Sequence, residues 1–158
     1  MPKYFTKNEA RTAVDAVLAK AHVRKSSAQL ICEARSDAND TDSFDVFLSH
    51  STADADLVLG VKKILEQREL KVYVGWDTDS QLDHSRVNSK TADLLPQRMK
   101  QSKSLLYLAT DSASSSKWMP WELGYFYGLR SGQVAVMPLL ENKNDSFTGQ
   151  EYLGLYPP

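Results

Sequence analysis

Cysteine is nearly absent from this sequence. Its 158 residues contain a single one, Cys32, so neither an internal disulfide framework nor a cysteine-rich zinc site can form. An excess of one charge is also missing. Lys and Arg number 19 against 20 Asp and Glu, a formal net charge of −1, and nothing resembles the basic stripe of a nucleic-acid binder. No apolar run approaches the ~18–20 residues that a membrane-spanning helix requires. The opening Met1-Pro2-Lys3-Tyr4-Phe5-Thr6-Lys7 leads into a mixed charged stretch and lacks the apolar centre of a secretion signal. The expectation is a cytoplasmic protein with no nucleic-acid or membrane partner. Glycine is sparse at 7 residues, with no phosphate-cradling loop of the P-loop or dinucleotide type and no Gly-x-Ser-x-Gly elbow, which argues against nucleotide-triphosphate, Rossmann and serine-hydrolase chemistry. His22, His50 and His84 fall in separate segments without metal-ligand spacing, so no metal is expected.

What is present is an ordinary globular balance, 42% hydrophobic and 25% charged, in a length that favours one compact domain. Residues 8–22 carry Ala10, Ala13, Val14, Val17, Leu18 and Ala21 at helical steps. A weaker helical stretch covers Ser26 to Arg35, followed by the polar run Ser36 to Ser43. We therefore expect a helical extension and linker over residues 1–43 and a main domain over 44–158. In the main domain, apolar runs at 44–48, 71–76, 104–109 and 133–140 alternate with amphipathic stretches at 53–70, 91–101 and 118–130. Pro96 makes the middle stretch start late or kink. A short fifth strand is possible at Tyr152 to Tyr156. Strand–helix alternation predicts an α/β fold, a parallel sheet of four to five strands flanked by helices, with the flavodoxin-like order 2-1-3-4-5.

Ligands of such sheets settle outside the carboxyl ends of the strands. Those ends are Ser49-His50-Ser51, Trp76-Asp77, Thr110-Asp111-Ser112 and Glu141-Asn142; the last pair lies far from the point where strand order reverses. Ser51 to Asp54 reads either as a helix cap, worth about 0.5–2 kcal/mol, or as an anion seat made of free backbone N–H groups. Asp54 argues against the anion by repulsion. The segment Ser115 to Phe126 is the richest. Pro120 belongs in a first helical turn, Ser115 or Ser116 is placed to cap it, and Trp118 and Glu122, four apart, share a helix face. An aromatic surface beside a carboxylate held charged by the helix start suits a cationic heteroaromatic ring. Equally, Glu122 offsets the helix dipole while the tryptophans fill core.

Taken in order, Phe44-Asp45-Val46-Phe47-Leu48-Ser49-His50-Ser51, the loop after Trp76-Asp77, and Trp118-Met119-Pro120-Trp121-Glu122 resemble a bacterial TIR (Toll/interleukin-1 receptor) domain over residues 44–158. Within that family the likeness is to the stand-alone TIR proteins of Thoeris-type antiphage defence. The resemblance implies a flavodoxin-like TIR fold and cleavage of the nicotinamide–ribose bond of NAD+, which is a substrate and not a cofactor. The product would be ADP-ribose or a cyclised signal. Nicotinamide departs from a pyridinium as a neutral ring and needs no general acid, so one carboxylate can serve where ordinary glycosidases use two. By resemblance Glu122 is catalytic, Trp118 shapes the pocket, and Ser49, His50 and Ser51 approach the ribose or phosphates. Trp76 and Asp77 line the same site. The loop with Asp83, His84, Ser85, Arg86 and Lys90 gates it and mediates TIR–TIR contacts; Arg86 and Lys90 are placed to offset diphosphate charge, with Lys90 alternatively a solvated loop cation. Implied partners are NAD+, further TIR copies and a downstream effector that senses the product.

Two other classes compete. A non-enzymatic module that assembles through TIR–TIR contacts would keep the fold and retain Glu122 only as a dipole partner. A nucleoside deoxyribosyltransferase-like enzyme would use a nucleophilic carboxylate on a related α/β fold. A Glu122 side chain sealed inside the protein, or pointing away from any cleft, would count against the enzyme and leave the fold to the assembly module.

Overall fold

A computed structural model of the chain describes residues 4–20, 26, 29–30, 41–74 and 89–158. Five strands form one sheet: β1 (Phe5–Thr6), β2 (Phe44–Ser49), β3 (Val72–Val74), β4 (Ser102–Ala109) and β5 (Val134–Leu140), in the order β1-β5-β4-β2-β3. Every neighbouring pair is parallel. The described helices are α1 (Lys7–Lys20), α2 (Ala55–Glu66), α3 (Ser89–Lys100) and α4 (Trp118–Leu129). Short 3-10 turns occupy Thr52–Asp54, Asp111–Ser115 and Glu151–Leu155. None of the described helices is long and apolar enough to cross a membrane.

Strand alternation divides the core in two. Phe47, Leu105, Tyr107, Val134 and Val136 face Leu95 and Met99 of α3 and Met119, Leu123 and Phe126 of α4. Val46, Leu48, Leu108, Met137 and Leu139 face Ala10 of α1 and Leu57, Val58, Val61 and Leu65 of α2. Burial on both faces is why these strands read as continuous apolar runs.

The four strands after residue 44 follow the expected order, and the N-terminus fills the fifth place. Phe5 and Thr6 pair with Leu139 and Leu140. The segment proposed for that place, Tyr152 to Tyr156, is instead part of the turn Glu151–Leu155. The edge of β5 is already occupied, by β1 and by the Pro157 carbonyl, which accepts from the Val136 amide at 2.8 Å; Leu153 fills core instead. Lys7–Lys20 is helical as expected, and it packs directly on α2. A Cβ on Gly60 would lie 1.9 Å from the Ala10 carbonyl oxygen, so only glycine allows this approach. A capping box starts α1: the Thr6 amide donates to Glu9 Oε2 at 2.8 Å and the Glu9 amide to Thr6 Oγ1 at 3.2 Å. Ser26 and Gln29 repeat that reciprocal pattern, and the Leu30 amide donates to the Ser26 carbonyl at 3.1 Å, while residues 27–28 and 31–35 of the second expected helix, and residues 36–40 of the linker, lie outside the described residues. Helix α3 runs from Ser89 through Pro96 to Lys100, so it does not start late. Its fully buried Leu95 and Met99 anchor it on both sides of the proline.

Candidate active site

Helix α4 begins at Trp118 after Lys117, and Ser116 Oγ, one residue earlier, accepts from the Met119 amide at 3.3 Å, so one of the two serines expected near the helix start does bond to its first turn. Pro120 then falls in the first turn, where its missing N–H has no partner to lose. The helix buries Met119, Glu122, Leu123 and Phe126, a stripe at steps of three and four. Glu122 is thus the one ionisable residue on the face that enters the core, and it is 1% exposed.

Across from it stands the last residue of β2. Ser49 alternates with Phe47 and so faces the α3/α4 side of the sheet. Fully buried, it donates from Oγ to Glu122 Oε2 at 2.5 Å. Residues 73 positions apart therefore meet at the carboxyl end of a central strand, where open parallel sheets place their ligands. Tyr107, one strand over on β4, is fully buried and shares a hydroxyl–hydroxyl hydrogen bond of 3.2 Å with Tyr152. Its phenol is pushed above its ordinary value, first by burial and the bond to Tyr152, and further by the negative charge of Glu122. The site is a small polar cluster set in an aromatic and aliphatic core.

Trp118 is half-buried against the same core and meets Trp121 edge-on at 5.8 Å, while Trp121 stacks on Tyr125 at 5.4 Å. His50 and Ser51 serve the local backbone: His50 Nδ1 lies 3.1 Å from the Leu48 carbonyl, and Ser51 Oγ accepts from the Ala53 amide at 3.4 Å. The cap reading of Ser51 is therefore the one seen. Asp54 accepts a hydrogen bond from Thr110 Oγ1 on the other side of the sheet. Trp76, Asp77 and Arg86, with Asp83, His84 and Ser85, lie outside the described residues. Sequence reasoning missed Tyr107 and Tyr152. The signal available for Tyr107 was its place on the inward alternation of β4, where a phenol must find a partner. It also passed over Glu141 as a strand end, although Lys7 Nζ bridges Glu141 at 2.7 Å and Asp111 at 3.1 Å.

A parallel sheet in this order, with a carboxylate at the start of α4 facing the end of β2, defines the protein class. The chain belongs to the TIR domain family, whose pattern it matches over residues 46–155. Among curated proteins it is 49% identical, over 115 residues, to a probable 3′ cyclic ADP-D-ribose synthase, ThsB′, of Bacillus cereus (strain MSX-D12), a match covering 72% of this chain and 59% of that protein. It is 32% identical over 83 residues to a putative cyclic ADP-D-ribose synthase, TIR2, of Cytobacillus dafuensis, covering 52% of this chain and 22% of the relative. The chain thus spans well under two thirds of the length of either.

Proposed function

We propose that this protein cleaves the nicotinamide–ribose bond of NAD+ and converts the ADP-ribosyl group to a cyclic ADP-ribose signal, as an antiphage TIR enzyme of the NAD+ glycohydrolase/ADP-ribosyl cyclase type. The single observation that carries this reading is the Ser49–Glu122 pair. A carboxylate inside an apolar core is unfavourable unless well compensated, and its placement at the carboxyl edge of the sheet is where such a cost serves chemistry. The names of both relatives agree with the chemistry.

In the reaction, the C–N bond between ribose and nicotinamide breaks and its electron pair stays on the ring nitrogen, so the pyridinium leaves as neutral nicotinamide. The ribosyl carbon becomes cationic, and the Glu122 carboxylate offsets that charge. A hydroxyl of the same ADP-ribose then attacks the carbon and gives up its proton, closing the ring; water in its place gives linear ADP-ribose. NAD+ is consumed as substrate, with no resident cofactor. At 1% exposure Glu122 touches no dinucleotide in this conformation, so turnover requires the pocket to open. Contacts with further TIR copies are the opening event we assign, and the effector that senses the product is the downstream partner.

The same burial favours a second reading, a non-enzymatic module that works by TIR–TIR assembly. Mass spectrometry of NAD+ incubated with concentrated, crowded protein separates the two. The enzyme reading expects nicotinamide together with a product of cyclic ADP-ribose mass. Intact NAD+ after prolonged incubation of assembled protein overturns it in favour of the module.

A further inference from the structure

We infer that Ser49 is the positioning residue of Glu122: its hydroxyl holds one carboxylate oxygen and so fixes the direction in which the carboxylate meets the ribosyl carbon. The inference rests on the reading of Glu122 given above and assigns Ser49 a task different from contact with ribose or phosphate.

Three observations carry it. Ser49 is fully buried, and the proton of its hydroxyl is directed to Glu122 Oε2 at 2.5 Å, so it has no donor to offer a ligand. Its neighbours on this face of the sheet, Phe47, Leu105, Tyr107 and Ala109, are core side chains, and packing alone would be met by alanine at position 49. Position 49 also closes β2, whose backbone is fixed by parallel pairing with β4 through Tyr107, so the hydroxyl is delivered from a rigid strand and not from a loop. Helix α4 alone leaves the three side-chain torsions of a glutamate to be set. A charge-assisted bond from a rigid donor restricts them, and a fixed near-attack position is worth much more than the bond itself.

A donor to the ionised form also lowers the affinity of the carboxylate for a proton. Among the described residues, the phenol of Tyr107, pushed above its ordinary value chiefly by burial, faces it from β4, and the buried His50 follows Ser49 at the end of β2. Removing the serine hydroxyl takes a donor from the carboxyl of Glu122, and a residue-specific signal of that carboxyl separates its shift from any change at His50.

The test is Ser49→Ala in the full chain, with Ser49→Thr as the variant that restores a hydroxyl. Steady-state NAD+ cleavage by Ser49→Ala should lose kcat by about 100-fold at a KM within about twofold of the parent, and the acid limb of its pH profile should move to higher pH. Ser49→Thr should recover much of the loss. A raised KM with kcat and pH profile unchanged would mean that Ser49 binds substrate, and overturns the assignment. A second measurement stands apart from turnover: the side-chain carboxyl of Glu122, followed by carbon-13 resonance in glutamate-labelled protein and assigned by its loss in Glu122→Gln. It should titrate at higher pH in Ser49→Ala than in the parent, and an unmoved titration overturns the positioning role even in a preparation that cleaves no NAD+. Absence of cleavage by the parent with the titration shift present would overturn the enzymatic reading alone.

Discussion

The two sides of the sheet each bury a carboxylate that accepts from a hydroxyl, and they differ in everything around it. On the α1/α2 side, Asp54 takes its bond from Thr110 and lines a cleft of about 380 Å³ shared with Lys7 and Arg11. There the carboxylate lies at the start of a helix, in a cleft that two cationic side chains also line. On the α3/α4 side, Glu122 takes its bond from Ser49 among Tyr107, Met119, Leu123 and Phe126. A carboxylate in a mixed-charge cleft needs no function to explain it. One buried among core side chains, with Ser49 as its donor among the described residues, does, because an apolar residue of similar size would fill that space at lower cost.

Substitutions can break that contrast, and the largest effect belongs to the packing side. Gly60→Ala should put a methyl into the Ala10 backbone and cost about 3 kcal/mol, the upper end of ordinary overpacking. Thermal unfolding would show it, while the folded fraction keeps its NAD+ cleavage. If the melting temperature holds, the α1–α2 contact is looser than described. Next come the two carboxylate partners. Thr110→Val leaves Asp54 buried without its donor and should lower stability by about 1–3 kcal/mol. Glu122→Leu removes a buried charge and should leave stability unchanged or raise it by about 1–4 kcal/mol. Denaturant titration of the pair checks the signs, and a strong loss in Glu122→Leu would make Glu122 structural.

How much of this was legible in the sequence follows the same division. Long apolar runs and helical steps exposed four strands and the helices between them, because burial on both faces leaves no polar alternation to confuse. The pattern Trp118-x-x-x-Glu122 marked the site, since proline at position 120 forces a helix start just before it. What stayed hidden was made by distance or brevity. A two-residue strand such as Phe5–Thr6 has no period to detect, so the N-terminus read as an appendage. The Thr6-x-x-Glu9 box was present as a local signal but does not say what its helix packs on. The partner of Ser49 lies 73 residues away, and that of Tyr107 lies 45 away; neither separation leaves a trace in spacing.

The smallest effects sit at the rim. Glu9 is held below its ordinary value by the Thr6 amide, and further by the Thr6 hydroxyl and Lys143. A lowered carboxyl contributes stability above its unfolded-state value and loses it as pH falls through the folded one. Glu9→Gln should therefore cost about 0.5 kcal/mol near neutral pH, small because the carboxylate is more than a third exposed and screened, and nothing in acid. Lys7, raised chiefly by its bond to Glu141 against the opposing effect of burial, behaves in the opposite sense. Its contribution is complete at neutral pH and is lost only as pH rises past the ordinary lysine value. Lys7→Met should thus lower the melting temperature slightly at pH 7 and not in strong alkali.

The most direct test is nicotinamide release from NAD+ by assembled parent protein and by Glu122→Gln at matched concentration. Glutamine keeps the shape and an acceptor for Ser49 but carries no charge to face the ribosyl cation. The account predicts a drop of at least about 100-fold with unchanged melting temperature. Equal release by the two proteins would contradict it.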